Sequence, residues 1–207
     1  MASSFYNQIH GIVHLITKLK PKSVLDIGKG FGNYGFLIHE YVEIDNRNKI
    51  NPLLSLKDQS TVTIDAVEIH PDLMMPHLSH IYRNVFFGDV TKMYPTLNGY
   101  DLILMVDIIE HINKEEGIKL LRHFLNENAN IIIATPRKFF QQKLYQSEFE
   151  HHLSHWKKSD FSKLANVQYQ YFDAGAVFLL SKGKSDIRGF GNSYIKKNKK
   201  ISPRLCY

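Results

Sequence analysis

Residues 23 to 37 read SVLDIGKGFGNYGFL, and the fold turns on how this stretch is read. An apolar run, Val24, Leu25 and Ile27, carries Asp26 into Gly28, Gly30 and Gly32, and a helical pattern begins near Asn33. Glycine lacks a Cβ, so it accepts positive φ and lets backbone approach a ligand closely; the start of the following helix presents unpaired N–H groups. The stretch reads as strand, nucleotide-cofactor loop and helix.

Gly30, Gly32 and Gly35 also satisfy the dinucleotide pattern G-x-G-x-x-G. Asp26, two residues before the first glycine, argues against a diphosphate ligand. A carboxylate beside the loop repels a pyrophosphate but suits the ammonium and sulfonium charges of S-adenosylmethionine (SAM). At this point the sequence resembles the class I SAM-dependent methyltransferases. VLDIGKGFGNYG is similar to their first motif, DAVEIHPD (Asp65 to Asp72) to the second and FFGDV (Phe86 to Val90) to the third. YDLILMVDIIEHI (Tyr100 to Ile112) and IIIATP (Ile131 to Pro136) follow in the same order. The resemblance spans about Ser23 to Ser181. It implies a three-layer α/β Rossmann-like fold whose mostly parallel seven-stranded sheet ends in an antiparallel hairpin.

Length and composition agree with a single α/β domain: 207 residues, 43% of them hydrophobic, suffice for a substantial core. The lone cysteine, Cys206, forms no internal disulfide, and no run of 18 apolar residues or leader-like segment is present, so a cytoplasmic protein without membrane contact is expected. Net charge is +6, yet eight of the 26 basic residues follow Ser181 against Asp186 alone. Residues 1–181 form the expected, nearly neutral domain, led by an amphipathic helix within 1–20. Residues 182–207 form a basic tail that is either a solvated end or an attraction for nucleic-acid phosphates.

Phe5, Ile9, Ile12, Val13, Ile16 and Leu19 recur at helical spacing before Pro21. Residues 44–60 are polar and aperiodic, read either as a cover over the site or as an insertion. Strand two ends in Glu68, and an acceptor-only carboxylate at a strand end suits the two hydroxyls of a ribose. The resemblance assigns Glu68 that role, with Ile69 beside it in the cofactor site, and assigns Asp89 to the adenine amino group with Val90 supplying backbone. Asp89 is also a natural helix cap.

The fourth strand is apolar throughout and delivers Asp107, Glu110 and His111 to the carboxyl end of the sheet, where open α/β folds bind ligands. After the fifth strand, Glu150, His151, His152, His155 and Trp156 make the densest histidine cluster. Methyl transfer to a hydroxyl or a protonated amine needs a base. Asp107, His111, His151 and His152 are the candidate catalytic groups, with Asp107 also counted in the cofactor site. D-x-x-E-H followed by H-H-x-x-H-W is moreover similar to the metal-dependent methyltransferases that modify the 3′-terminal ribose of small RNAs. That likeness implies Glu110, His111 and His152 as ligands of a divalent ion. Asp107 stands where those enzymes have a glutamate, and Arg137 stands in place of an asparagine. The favoured expectation is a metal-free enzyme that methylates an oxygen of a small-molecule acceptor such as a sugar. The alternatives are a metal-dependent RNA ribose 2′-O-methyltransferase and a non-catalytic SAM-binding protein.

Overall fold

The apolar run before the glycines is strand β1 (Ser23–Ile27), and four of its five residues are buried, as a central strand requires. The computed structural model describes residues 6–42, 54–139, 148–183, 187–190 and 193–194. Around β1 stand β2 (Thr63–Glu68), β3 (Asn84–Phe87), β4 (Leu102–Val106), β5 (Asn130–Pro136), β6 (Asn166–Tyr171), β7 (Gly175–Ser181) and β8 (Ser193–Tyr194), in the order β3-β2-β1-β4-β5-β7-β6-β8. The first five strands are parallel, and β7 is antiparallel to both β5 and β6. The expected fold class is thus present, with the two-residue β8 added parallel to β6.

Strand alternation sorts the apolar residues into two layers. Val24, Ile64, Leu104 and Ile132 face α1 (Ile9–Leu19), α2 (Asn33–Val42) and α4 (Leu78–Ile81). Leu25, Val67, Ile103 and Ile133 face α6 (Lys114–Asn126), together with Trp156 and Phe161. α1 turns off at Lys20 in the left-handed region, one residue before Pro21. Pro76 falls between a single 3-10 turn (Pro71–Leu73) and the four-residue α4, so the connection after β2 holds no long helix. α3 (Leu56–Gln59) is the described part of the polar insertion; residues 43–53 lie outside the described residues, as does Phe5.

The expected domain end at Ser181 is not where the packing ends. Phe190 is buried in the α1 layer, Gln168 donates to its carbonyl and accepts from Ile187 N, and His14 Nε2 donates to Arg188 O. An isolated aromatic in a basic run has reason to leave water, and its burial draws the neighbouring chain onto β6. The basic residues from Lys196 onward lie outside the described residues.

Gly35 serves helix packing. A Cβ there would come within 2.6 Å of the Tyr82 ring and 2.7 Å of Ile81. Gly35→Ala is therefore expected to lower stability by up to about 2 kcal/mol, because overpacking of about 1–3 kcal/mol is set against the roughly 1 kcal/mol alanine gains in a helix. Urea unfolding checks this: a lower midpoint at unchanged slope is the expected result.

Candidate active site

Strand order reverses between β2-β1 and β4-β5, and the crevice at such a reversal is where open α/β sheets take ligands. A cavity of about 350 Å3 lies there, bounded by Gly28, Gly30, Glu68, Asp89, Asp107 and His111. Ile69 and Val90 line it too. Eight of the proposed site residues thus share one hollow.

The glycine loop needs its glycines. Gly28, Gly30 and Gly32 have φ of +73°, +53° and +84°. A Cβ on Gly28 would strike Ile108 at 2.0 Å, whereas around Gly30 the space is open and only the left-handed backbone demands glycine. Glu68 holds this loop in place. Its Oε2 accepts from Gly30 N at 3.1 Å, while Oε1 accepts from Ile69 N at 2.9 Å and His70 N at 3.1 Å. A carboxylate offers about four lone-pair sites, so roughly one remains for a ribose hydroxyl.

Asp26 is placed differently from the expectation. It shares the parity of Val24, so it points into the α1–α2 layer and does not line the cavity. Tyr82 donates to its Oδ2 at 2.6 Å, and burial pushes its pKa up to about 6. Gly32 likewise borders a separate apolar groove with Phe31 and Phe36. Asp89 caps α5 (Val90–Met93), accepting from Thr91 N at 2.9 Å and Thr91 Oγ1 at 2.6 Å, and it also lines the cavity.

Asp107 is the most strained residue of the site. It adopts φ +53°, a left-handed conformation costing a non-glycine residue on the order of 1 kcal/mol. Its buried Oδ1 has no hydrogen-bond partner among the described residues, and desolvation pushes its pKa up to about 7. A single 3-10 turn (Ile109–His111) then carries Glu110 beneath the surface and His111 to the cavity. Thr135 Oγ1 donates to Glu110 Oε2 at 3.0 Å; burial, aided by the Asp107 charge, raises the Glu110 pKa to about 8.

The histidine segment docks on this turn. Leu153 N and Ser154 N both donate to Glu110 O, Trp156 Nε1 donates to Ile109 O at 3.0 Å, and Ser154 Oγ donates to Ile112 O at 2.6 Å. His152 is buried by this docking, its ring 4.9 Å from that of His111. Carboxylate oxygen of Glu110 and ring nitrogens of His111 and His152 lie within 4.8 Å of one another. One carboxylate with two imidazoles is a donor set for manganese, iron or zinc, and the burial that disfavours charge on Glu110 is what a cation relieves, so the residues fit a divalent ion. His151 does not join them: its side chain is exposed and only its carbonyl enters, accepting from His111 Nδ1 at 3.2 Å. Arg137 also turns away, donating to Phe172 O and lying over the Tyr171 ring.

Sequence reasoning missed Lys29, Tyr82 and Thr135. Only Lys29 carried a signal, a lysine between two loop glycines.

No protein-family profile matches the chain, and no curated relative matches it. Solved structures do. The small RNA methyltransferase HEN1 superposes with TM-score 0.57 at 14% identity over 93% of this chain, which corresponds to 28% of that protein's chain. The methyltransferase domain of bacterial CtHen1 gives 0.51 at 18% identity, covering 86% of this chain and all of that one. The N-terminal domain of EvdMO1, solved in the presence of S-adenosylhomocysteine (SAH) and D-fucose, gives 0.59 at 10% identity over 88% of this chain and 85% of its own. The fold is that of the class I SAM-dependent methyltransferases.

The Asp26 pKa sets a pH dependence of stability. Because about 6 in the folded chain exceeds the ordinary 3.8, protonation favours folding: this contribution is complete below about pH 4 and is lost as pH rises through about 6. Asp26→Asn retains an acceptor for Tyr82. It is expected to make the fall in stability between pH 4 and 6.5 less steep, the raised Asp107 and Glu110 carboxyls still contributing to the slope, and to raise stability at pH 7 by about 1–3 kcal/mol, as read by thermal unfolding across pH.

Proposed function

We propose that the chain is a SAM-dependent methyltransferase that acts on a hydroxyl of a small-molecule acceptor. One observation carries the reading: a single cavity joins the glycine loop, Glu68 and Asp89 at one side to Asp107 and His111 at the other. The first set suits an adenosine, and the second suits a reacting oxygen with its proton. In the transfer, an acceptor oxygen forms a bond to the methyl carbon as the carbon–sulfur bond breaks, giving SAH; the hydroxyl proton passes to a base. The protein's work is alignment and proton removal.

His111 is suited to the proton. Its Nδ1 faces a carbonyl and so carries the hydrogen, which leaves the Nε2 lone pair available. Burial and the neighbouring His152 lower its pKa below the ordinary value, favouring the neutral form. Asp107, whose Oδ1 has no partner among the described residues, faces the same space and orients a hydroxyl or an ammonium.

A second reading rests on the convergence of Glu110, His111 and His152. It takes the acceptor as an RNA ribose, as the description of HEN1 as a small RNA methyltransferase would have it. When bound, a divalent ion there lowers the pKa of a ribose hydroxyl and fixes its direction. Here the basic residues beyond Ser181 would supply a salt-dependent contact to phosphates.

Calorimetry with SAM and SAH, then a screen of acceptors for labelled methyl uptake, tests the proposal; binding of neither compound at millimolar concentration sinks it. His152→Ala is expected to leave SAM affinity within about twofold and to lower turnover by at least about tenfold. A chelator separates the readings. Activity that survives it supports the metal-free enzyme, whereas activity lost and then restored by Mn2+ supports the ribose reading.

A further inference from the structure

Lys29 stands between the first two loop glycines, and only 5% of it is exposed. Its ammonium donates to Gly30 O at 3.2 Å and to Leu73 O at 3.0 Å. Both Gly30 and Leu73 line the cavity, the first on the glycine loop and the second at the end of the 3-10 turn that follows β2. Lys29 does not line the cavity itself. It lies behind the loop, near the Phe87 ring and within the fields of Glu68 and Asp26.

A buried ammonium is costly unless paired and hydrogen-bonded. Ordinary packing would put an apolar side chain in this place. Here two carboxylates oppose the burial penalty, and two backbone carbonyls from different segments of the cavity lining accept from the charge. Glu68 ties the loop to β2 through N–H groups, whereas Lys29 ties it to residue 73 through carbonyls. Together they join the glycine loop to the segment after β2 at two points.

We propose that Lys29 is a positioning residue for the methyl donor: its ammonium clips Gly30 to Leu73, sets the spacing of the cavity walls, and offsets part of the negative charge under the loop. The inference rests on the reading that SAM occupies this cavity. Two consequences are separable. Withdrawing the clip loosens the site for any adenosine-bearing ligand. Withdrawing the charge acts on SAM and SAH differently, because only SAM bears a sulfonium, and a cationic ligand gains when a nearby fixed cation is removed.

The test is calorimetry of wild type and Lys29→Met with SAM and with SAH. Methionine keeps the length and loses the charge and the donors. Expected for Lys29→Met are an SAH affinity at least tenfold weaker and a SAM-to-SAH affinity ratio at least threefold higher than in wild type. Affinities within twofold of wild type for both ligands overturn the proposal. An equal loss for both also overturns it, reducing Lys29 to a packing residue. Should Lys29→Met fail to fold, Lys29→Arg decides: the charge remains, so affinity for both ligands falls while the ratio stays at the wild-type value, and a changed ratio sinks the idea. Failure of wild type to bind either ligand would instead refute the cofactor reading and is distinguished at the first titration.

Discussion

The carboxyl edge of the sheet depends on one side chain accepting three backbone N–H groups. Glu68 closes β2 and holds Gly30, Ile69 and His70 at once, so the glycine loop and the turn after β2 are fixed to a common charge. Hydrogen bonds from neutral donors to a carboxylate acceptor are stronger than neutral ones, and here one of them restrains Gly30, whose left-handed φ would otherwise be loose. The loop is therefore preformed. A ligand entering the cavity meets a wall already ordered, which removes part of the ordering penalty of binding.

The other half of the site is organised from a distance. Glu110 contributes its carbonyl to two N–H groups of the histidine segment and its carboxylate to Thr135 at the end of β5. Trp156 secures the arrangement, stacking on Phe161 and approaching Gly117 so closely that a Cβ there would lie 2.6 Å from the indole. Lys114 adds a further tie, donating to His155 O and Asp160 Oδ2. His152 reaches His111 because a tryptophan four residues on is anchored in the core.

Much of this was legible in the chain. Apolar runs such as LILMV and NIIIATP mark strands buried on both faces, and their alternation assigns the two layers without further information. The pairing of Glu110 and His111 with His152 was readable only as a likeness of pattern, since a 3-10 turn and a segment some 40 residues away had to be brought together. Asp26 shows where pattern misleads. Its place before the glycines matched a motif, but strand parity turns the carboxylate away from the cavity, and its partner Tyr82 lies 56 residues away with no local signal. Asp89 was legible as a helix cap, and the same side chain also lines the cavity. Phe190 was hidden by composition, a single apolar residue outweighed by the charges around it.

Asp107 ties the two acceptor readings to one physical demand. A non-glycine residue at φ +53° with a buried oxygen that has no partner among the described residues is destabilising twice over, and asparagine or glycine would occupy that backbone more readily. Three residues on, Glu110 is buried as well, and the charge on Asp107 adds to what opposes ionisation of Glu110. Two carboxyls in a shielded crevice are best relieved by a positive charge between them and the solvent. Under the first proposed reading a sulfonium or ammonium of the donor would supply one; under the second, a divalent ion on Glu110, His111 and His152 would. The desolvated carboxyl of Asp107, more than its backbone strain, thus favours a cationic ligand under either proposed reading, and the two readings differ in which cation that would be.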